Sequence, residues 1–263
     1  MPSARLAAAI ALALAAPAAN AELVTRTIEY KQGGTVLEGY LAYDTAGPAK
    51  KPGVVIFHQW MGLTAYERMR AEQLAALGFV AFAGDIYGKG IRPTNPKEAA
   101  AEAGKYRSDI PLLRARTQAA LAALRQQPNV LSDKVAAIGY CFGGGAALEL
   151  ARSGADLLGT VTFHGSLSTP RPEDARNIHG KVLVLHGADD PAVNRATVLA
   201  FEDEMKAAKV DWEVVLYSGT VHSFTQPMAG NDPSTGNAYN PESDRRSWQA
   251  MRDFFAEIFG TSA

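Results

Sequence analysis

The single cysteine of this 263-residue chain lies in an unusual cluster of glycines. It is the centre of Gly139-Tyr140-Cys141-Phe142-Gly143, which follows an apolar run and precedes a run with helical spacing. A sharp strand-to-helix turn of this form exposes the side chain at its tip, and glycine on either side lets the strand and helix approach closely. The helix N-terminus then favours a thiolate at the sulfur. The pattern predicts that Cys141 is a nucleophile rather than a small core residue.

A thiol nucleophile needs a base, because a free cysteine with a pKa of about 8.5 is mostly protonated at neutral pH. The chain order nucleophile, acid, histidine is that of one class of hydrolytic triads. Downstream of Cys141, Asp190 follows an apolar run and His222 follows the last such run. Asp189 is the competing acid, and we favour Asp190 because Pro191 helps to fix its loop. We expect His222 to act as general base and Asp190 to orient it.

Strand and helix patterns alternate along most of the chain. The runs "GVVIFHQW", "FVAFAGDIYG" and "KVAAIGY" are continuously apolar, which is typical of strands buried on both faces. Residues 23–30 and 36–43 instead alternate and meet at Gly33-Gly34, which predicts an antiparallel pair at one edge. The fold class is therefore α/β, with a mostly parallel twisted sheet and helices on both faces.

Sites in such sheets form beyond the carboxyl ends of the strands. Six candidate residues directly follow predicted strand ends: Gln59, Asp85, Cys141, His164, Asp190 and His222.

The first 21 residues have the pattern of a cleaved secretory signal peptide. They contain Arg5, an apolar run over residues 6–16 and a small-x-small site at residues 19–21. We expect export to the periplasm or the outside, with no membrane anchor after cleavage. Residues 22–263 then form one domain, since no repeat, charge block or linker divides them.

Composition narrows the partners. The formal net charge is −1, or −2 without Arg5, which argues against nucleic acid or an anionic membrane surface. Cys141 has no disulfide partner although the protein is expected to be exported, so it is either inert or kept free for chemistry. A small-molecule substrate, no cofactor and a monomer are the expectations.

The motifs "FHQWMGL", "GYCFGG", "HGADDP" and "VHSF" resemble those of the dienelactone hydrolase family of α/β-hydrolases, and the similarity extends to "RSWQAMRDFF" near the C-terminus. The resemblance implies an α/β-hydrolase fold and a Cys141–His222–Asp190 triad. It also implies hydrolysis of an ester or lactone through a thioester. The backbone N–H groups of Phe142 and Trp60 would then form the oxyanion hole.

Two departures from the family pattern bear on the substrate. The family commonly has a glutamate that takes part in thiol activation where this chain has Gln59, so activation would depend on His222 alone. The dienelactone-cleaving members hold the substrate carboxylate with two arginines, and the matching positions are Lys89 and Gln226. This change argues against dienelactone itself as the substrate.

Several alternatives remain open at this point. The strand-end histidines could hold a metal, although no ligand spacing supports one, or could line the cleft, as we expect for His164 or His58. The residues between 218 and 240 form either a lid or a surface excursion. The protein could also transfer acyl groups, or bind a small carbonyl ligand without catalysis. A dinucleotide-binding loop is disfavoured because the glycine cluster lacks the full G-x-G-x-x-G pattern and comes late in the chain.

Two further sets of residues have either a pocket or a packing role. Four apolar residues beside the site could wall an acyl pocket or belong to the core: Trp60, Met61, Tyr87 and Phe224. Four charged residues are predicted to lie on solvated helix faces: Glu67, Arg68, Arg245 and Arg246.

Overall fold

A computed structural model describes residues 22–260 of the chain. The predicted signal peptide, residues 1–21, lies outside the described residues. Between residues 22 and 260, no helix is both long and apolar enough to cross a membrane.

Eight strands and six α-helices alternate along the described chain. The strands are β1 Leu23–Gln32, β2 Thr35–Asp44, β3 Lys51–Phe57, β4 Val80–Gly84, β5 Val130–Tyr140, β6 Gly159–Phe163, β7 Lys181–Gly187 and β8 Trp212–Tyr217. The helices are α1 Ala65–Ala76, α2 Pro96–Ser108, α3 Ile110–Arg125, α4 Phe142–Arg152, α5 Arg195–Ala208 and α6 Pro241–Phe259.

All eight strands belong to one sheet with the order β1-β2-β4-β3-β5-β6-β7-β8. β1 and β2 form an antiparallel ladder at one edge, and β2 pairs antiparallel with β4. From β4 through β3 to β8 every pairing is parallel. The predicted edge pair and the mostly parallel sheet are both confirmed.

Helices cover both faces of this sheet, and the side-chain alternation of β3 shows why. Val54 and Ile56 belong to the core cluster formed with α1 and α6, whereas Val55 and Phe57 belong to the cluster formed with α3 and α4. Successive residues of a strand point to opposite faces, so a strand covered on both sides must be apolar throughout. This explains the continuous apolar runs in the sequence.

The structure adds two local details. Pro111 lies in the first turn of α3, where a missing N–H leaves no hydrogen bond unmade. The loop after β8 is not devoid of structure. It contains two short 3₁₀ turns, and His222 forms a bridge with Asn237.

Candidate active site

Cys141 is positioned by a strained turn between β5 and α4. Its backbone has φ 54° and ψ −117°, a conformation that non-glycine residues rarely adopt. A Cβ at Gly139 would lie 1.9 Å from the carbonyl oxygen of Gly143, and a Cβ at Gly143 would lie 2.1 Å from the carbonyl oxygen of Phe57. Glycine is therefore required at both positions by close backbone approach, as the motif predicts.

Backbone hydrogen bonds hold this turn in place. The N–H of Cys141 donates to Phe163 O at 3.1 Å, and the Cys141 carbonyl accepts from the N–H of Gly144 at 3.1 Å and of Ser166 at 3.3 Å. The turn is thus tied to both β6 and the segment that follows it. These bonds offset the cost of the strained φ and keep the thiol at the carboxyl end of the sheet.

The base and the acid form a continuous chain with the thiol. His222 Nε2 lies 3.2 Å from Cys141 Sγ, and His222 Nδ1 lies 2.7 Å from Asp190 Oδ2. The other carboxylate oxygen of Asp190 accepts from the N–H groups of Ala192 and Val193. Asp189 is exposed and takes no part. The triad places an imidazole between a thiol and a fixed carboxylate, as nucleophilic catalysis requires.

Electrostatics favour the ion-pair form of the thiol and imidazole. Burial raises the pKa of Cys141, but the hydrogen bond and charge of His222, the N–H of Phe142 and the charge of Arg107 lower it below its ordinary value. Burial lowers the pKa of His222, yet Asp190 and Cys141 raise it to about 10. Both shifts favour a thiolate facing an imidazolium over a neutral thiol facing a neutral imidazole.

Two backbone N–H groups are the candidates for the oxyanion hole. Phe142 is the first residue of α4, where an N–H has no intrahelical acceptor. Trp60 lies in a turn closed by the hydrogen bond from Gly62 N to Gln59 O, and its carbonyl accepts from Tyr87 OH at 2.9 Å. Among residues 22–260, the Trp60 N–H has no protein acceptor. Both groups are available to an oxyanion.

The Trp60 turn is held by a buried carboxylate, that of Glu67. The sequence pattern predicts a solvated helix face for Glu67, and this prediction is wrong: its exposed fraction is 0%. Its carboxylate accepts from Gln59 N at 3.2 Å, from Thr64 N at 2.8 Å and from Thr64 Oγ1 at 2.7 Å. It therefore links the start of α1 to the residue before Trp60. The other three residues of that set are exposed, as predicted: Arg68, Arg245 and Arg246.

Gln59 follows β3 and is joined to Glu67 through its backbone N–H. It is only 8% exposed, and its carboxamide has no hydrogen-bond partner among the described residues. The side chain lines a cavity of about 520 Å³ at the start of α1, here called the α1 cavity. Gln226, one of the two positions matched to family arginines, also lines this cavity beside the triad. The lining further includes Trp60, Met61, Ser223 and Met228.

A second cavity lies on the opposite face of the sheet, beside α4. This α4 cavity has a volume of about 270 Å³ and includes Phe142, Gly145 and Ser166 in its lining. Arg107 also lines it, with its guanidinium 5.6 Å from the centre of the Phe142 ring. Nothing in the sequence marks Arg107 as a site residue, because a basic residue in the last turn of a helix is ordinarily a capping or solubility feature.

Tyr87 and Phe224 are core residues rather than walls of a pocket. Tyr87 is 1% exposed and stacks on Tyr106 with ring centres 5.4 Å apart. Phe224 is fully buried and packs edge-on against His164 at 5.2 Å. Lys89 lies further away: it is exposed on the surface, where its ammonium pairs with Glu29. It lines neither the α1 nor the α4 cavity.

Three histidines at strand ends, His58, His164 and His186, lie beside the site and hydrogen-bond to neighbouring loops. His58 Nδ1 lies 2.6 Å from Gln59 O, and its Nε2 accepts from Ile86 N. His164 is buried, with its ring 5.1 Å from that of His222 and its Nε2 2.8 Å from Thr225 Oγ1. Burial and the neighbouring histidines hold the pKa of His164 well below its ordinary value, so it packs as a neutral ring.

His186 has a similar structural role, since its Nε2 lies 2.8 Å from Val193 O. Across residues 22–260, no group of three His, Cys, Asp or Glu side chains is placed to hold a metal ion.

Comparisons with known proteins agree with this geometry. The Dienelactone hydrolase family matches residues 37–259. The protein usf of Aquifex pyrophilus is 28% identical over 239 residues, which cover 88% of this chain and 97% of that protein.

Two solved structures are more similar. The protein named m3DLH is 43% identical with a TM-score of 0.86, and the match covers 90% of this chain and 98% of that one. A dienelactone hydrolase-like promiscuous phosphotriesterase from metagenomic libraries is 42% identical with a TM-score of 0.85 and the same coverage.

Proposed function

Because this chain belongs to the dienelactone hydrolase family, we propose that it hydrolyses a carboxylic ester or lactone through a thioester on Cys141. The observation that carries the proposal is the chain of contacts from Cys141 Sγ to His222 at 3.2 Å and from His222 to Asp190 at 2.7 Å. Nucleophilic catalysis needs a thiol with these partners on a strained turn, whereas core packing needs neither the partners nor the strain.

Acylation begins with attack of the Cys141 thiolate on the carbonyl carbon. A carbon–sulfur bond forms, and the carbonyl oxygen becomes an oxyanion between the N–H groups of Phe142 and Trp60. The carbon–oxygen bond to the alcohol then breaks, and the imidazolium of His222 gives its Nε2 proton to the departing alkoxide. The alcohol leaves, or stays attached in the case of a lactone, and a thioester remains.

Deacylation uses the same groups in reverse. Neutral His222 takes a proton from water, and the resulting hydroxide attacks the thioester carbonyl. The carbon–sulfur bond breaks, the acid is released and the thiolate–imidazolium pair is restored. Asp190 stabilises the imidazolium in both halves, because its carboxylate accepts from Nδ1 while its other oxygen is fixed by backbone N–H groups.

Gln59 fits a mechanism in which His222 activates the thiol without a second base. A carboxamide cannot take a proton at neutral pH. The lowered pKa of Cys141 and the raised pKa of His222 both favour the ionised thiol without a carboxylate at position 59. His222 can therefore activate the thiol where the family commonly has a glutamate.

The test uses p-nitrophenyl acetate as a generic ester. Residues 22–263 should release p-nitrophenolate with saturation kinetics, and Cys141→Ala should reduce kcat/KM to the background rate. Equal rates for the two proteins would reject the thioester mechanism, and equal rates at background would favour the non-catalytic alternative. Adding hydroxylamine or a thiol as acceptor separates hydrolysis from acyl transfer, because transfer gives an amide-type or thioester product in place of the free acid.

We propose phosphotriester hydrolysis as a second activity of the same site. Two observations support it: a solved protein 42% identical to this chain is named a promiscuous phosphotriesterase, and Gln59 carries no charge at the position where the family commonly has a glutamate. A neutral neighbour does not repel the charge that develops on a phosphoryl oxygen. Paraoxon should release p-nitrophenolate with wild-type protein and not with Cys141→Ala; no release from wild type would discard this activity.

Export of the protein is a separate proposal. It is supported by the sequence pattern of residues 1–21, with the small-x-small site at residues 19–21. N-terminal sequencing of protein recovered from an osmotic-shock fraction should begin at Glu22. Full-length protein retained inside the cell would contradict it.

A further inference from the structure

The α1 cavity is lined by residues of two loops, the turn at Trp60 and the loop that contains His222. Gln59 and Trp60 belong to the turn that supplies one oxyanion N–H, and Ser223 follows the base His222 directly. The cavity is thus bordered by the residue next to His222, the group that would protonate the departing oxygen. The α4 cavity instead begins at Phe142, on the nucleophile helix, and includes no residue of the His222 loop.

Gln59 gives the α1 cavity a polar group that awaits a partner. Its side chain is more than nine-tenths buried, lines the cavity and makes no hydrogen bond to any residue between 22 and 260. The carboxamide atoms are not among the fully enclosed polar atoms of residues 22–260, so they are accessible from the cavity. A ligand atom in the cavity can therefore donate a hydrogen bond to the amide oxygen or accept one from the amide nitrogen.

The charge of the cavity limits what it can hold. None of the described residues that line it is Lys, Arg or His. Its one carboxylate, Glu67, is already engaged by three hydrogen bonds from Gln59 and Thr64. The rest of the wall is largely apolar and includes Met61 and Met228, the latter 89% exposed at the rim. An uncharged group fits this lining better than an anion or a cation.

We propose that the α1 cavity binds the leaving alcohol of the ester as an uncharged, mainly apolar group, and that the acyl part lies toward the α4 cavity. The assignment rests on the proposed ester hydrolysis, since it places the two halves of one substrate around Cys141. Arg107 lines the α4 cavity, on the acyl side, and supplies a cation there. None of the described residues that line the α1 cavity, on the alcohol side, is a cation.

The experiment uses two isomeric esters that differ only in where the ring lies. Benzyl acetate has its phenyl ring in the alcohol, and methyl phenylacetate has it in the acid. Ala229→Phe narrows the α1 cavity, and the matched variant Ala192→Phe narrows the α4 cavity. Ala229→Phe should lower the ratio of kcat/KM for benzyl acetate over methyl phenylacetate by about tenfold, and Ala192→Phe should raise it. Thermal unfolding of both variants checks that each is folded.

The outcomes separate the two proposals. Wild-type activity that depends on Cys141, with a ratio unchanged or shifted the other way by Ala229→Phe, overturns the subsite while ester hydrolysis stands. A wild-type protein that cleaves neither ester overturns both. If either variant fails to fold, 4-carboxybenzyl acetate and benzyl acetate are compared with wild type. The anionic ester should be the poorer substrate by about tenfold, and an equal or better rate overturns the uncharged assignment.

Discussion

The carboxylate of Glu67 accepts a hydrogen bond from the backbone N–H of Gln59 at 3.2 Å, with no solvent exposure. This contact fixes the residue that precedes Trp60, whose N–H we assign to the oxyanion hole. Because the same carboxylate also accepts from Thr64 N and Oγ1, one side chain joins the start of α1 to the catalytic turn. The cap of a helix is thereby also a support of the active site.

Glu67→Ala should therefore lower kcat by about 10- to 100-fold, since a displaced oxyanion donor costs on the order of 100-fold. Steady-state kinetics with p-nitrophenyl acetate measure it, and KM should change little. Glu67→Gln should recover part of the loss, because its amide oxygen still accepts from Gln59 while its NH2 group cannot accept from Thr64 N.

A matched control for Glu67 exists at the start of α2. Glu98 accepts from Thr94 N at 2.8 Å and Thr94 Oγ1 at 2.9 Å, so it caps its helix in the same way but lies on the surface away from the site. Glu98→Ala should leave kcat unchanged. A similar fall in kcat for both variants would show that Glu67 acts through general stability alone.

The ion pair predicts how thiol reactivity depends on pH. Because the pKa of Cys141 is lowered, its rate of alkylation by iodoacetamide should rise with pH, and the midpoint of that rise should lie at a lower pH than for a free thiol. Since the His222 pKa is raised to about 10, kcat/KM should fall again as pH approaches that value and the imidazolium is lost. The chain has one cysteine, so alkylation followed by mass spectrometry reports only this site.

Variants of His222 and Asp190 test why the pKa of Cys141 is lowered. His222→Asn removes the hydrogen bond and positive charge that lower the pKa of Cys141, so the alkylation limb should move to higher pH. Asp190→Asn should move it in the same direction, because the imidazolium loses its partner. An unmoved limb in His222→Asn would contradict the ion-pair assignment.

Gln59→Glu should move the acidic limb of kcat/KM to higher pH. A carboxylate beside the sulfur disfavours the thiolate, whereas the natural carboxamide has no charge. Gln226→Glu adds the same charge to the same cavity farther along the His222 loop and is the comparison variant. An identical pH profile for Gln59→Glu and wild type would remove Gln59 from the electrostatics of activation.

Gly143→Ala should destabilise the fold by about 3 kcal/mol or more, because its Cβ would lie 2.1 Å from Phe57 O and 2.5 Å from His58 O. Gly104→Ala in α2 is the opposite case: nothing lies within 4 Å of its Cβ, and it should stabilise by about 1 kcal/mol. Urea unfolding of both variants measures the difference. If Gly143→Ala left the free energy of unfolding unchanged, the turn between β5 and α4 would be less tightly packed than the structure shows.

The triad can be located from the amino-acid sequence alone. The glycines around Cys141 report a close strand–helix approach, which is a local constraint and is therefore visible locally. The choice of Asp190 over Asp189 also follows from a local feature, the proline after Asp190. Strand ends are predictable because apolar runs stop where the sheet stops.

Contacts between distant segments are not predictable in the same way. Lys89 matches a substrate-binding position of the family, but β1 brings Glu29 beside it at the surface. Arg107 reaches the α4 cavity only through the packing of α2 on Phe142. Glu67 does have a signal, since Thr64-x-x-Glu67 is a capping box, and the box predicts a carboxylate turned toward the helix start rather than solvent.

The most direct test of the account is the mass of the protein during turnover. Wild-type protein mixed with p-nitrophenyl acetate and quenched in acid should gain one acetyl group, located by peptide mapping on the peptide that contains Cys141. Cys141→Ala treated in the same way should gain none. An acetyl group on another residue, or turnover by wild type with Cys141 never modified, would contradict the central claim that Cys141 is the nucleophile.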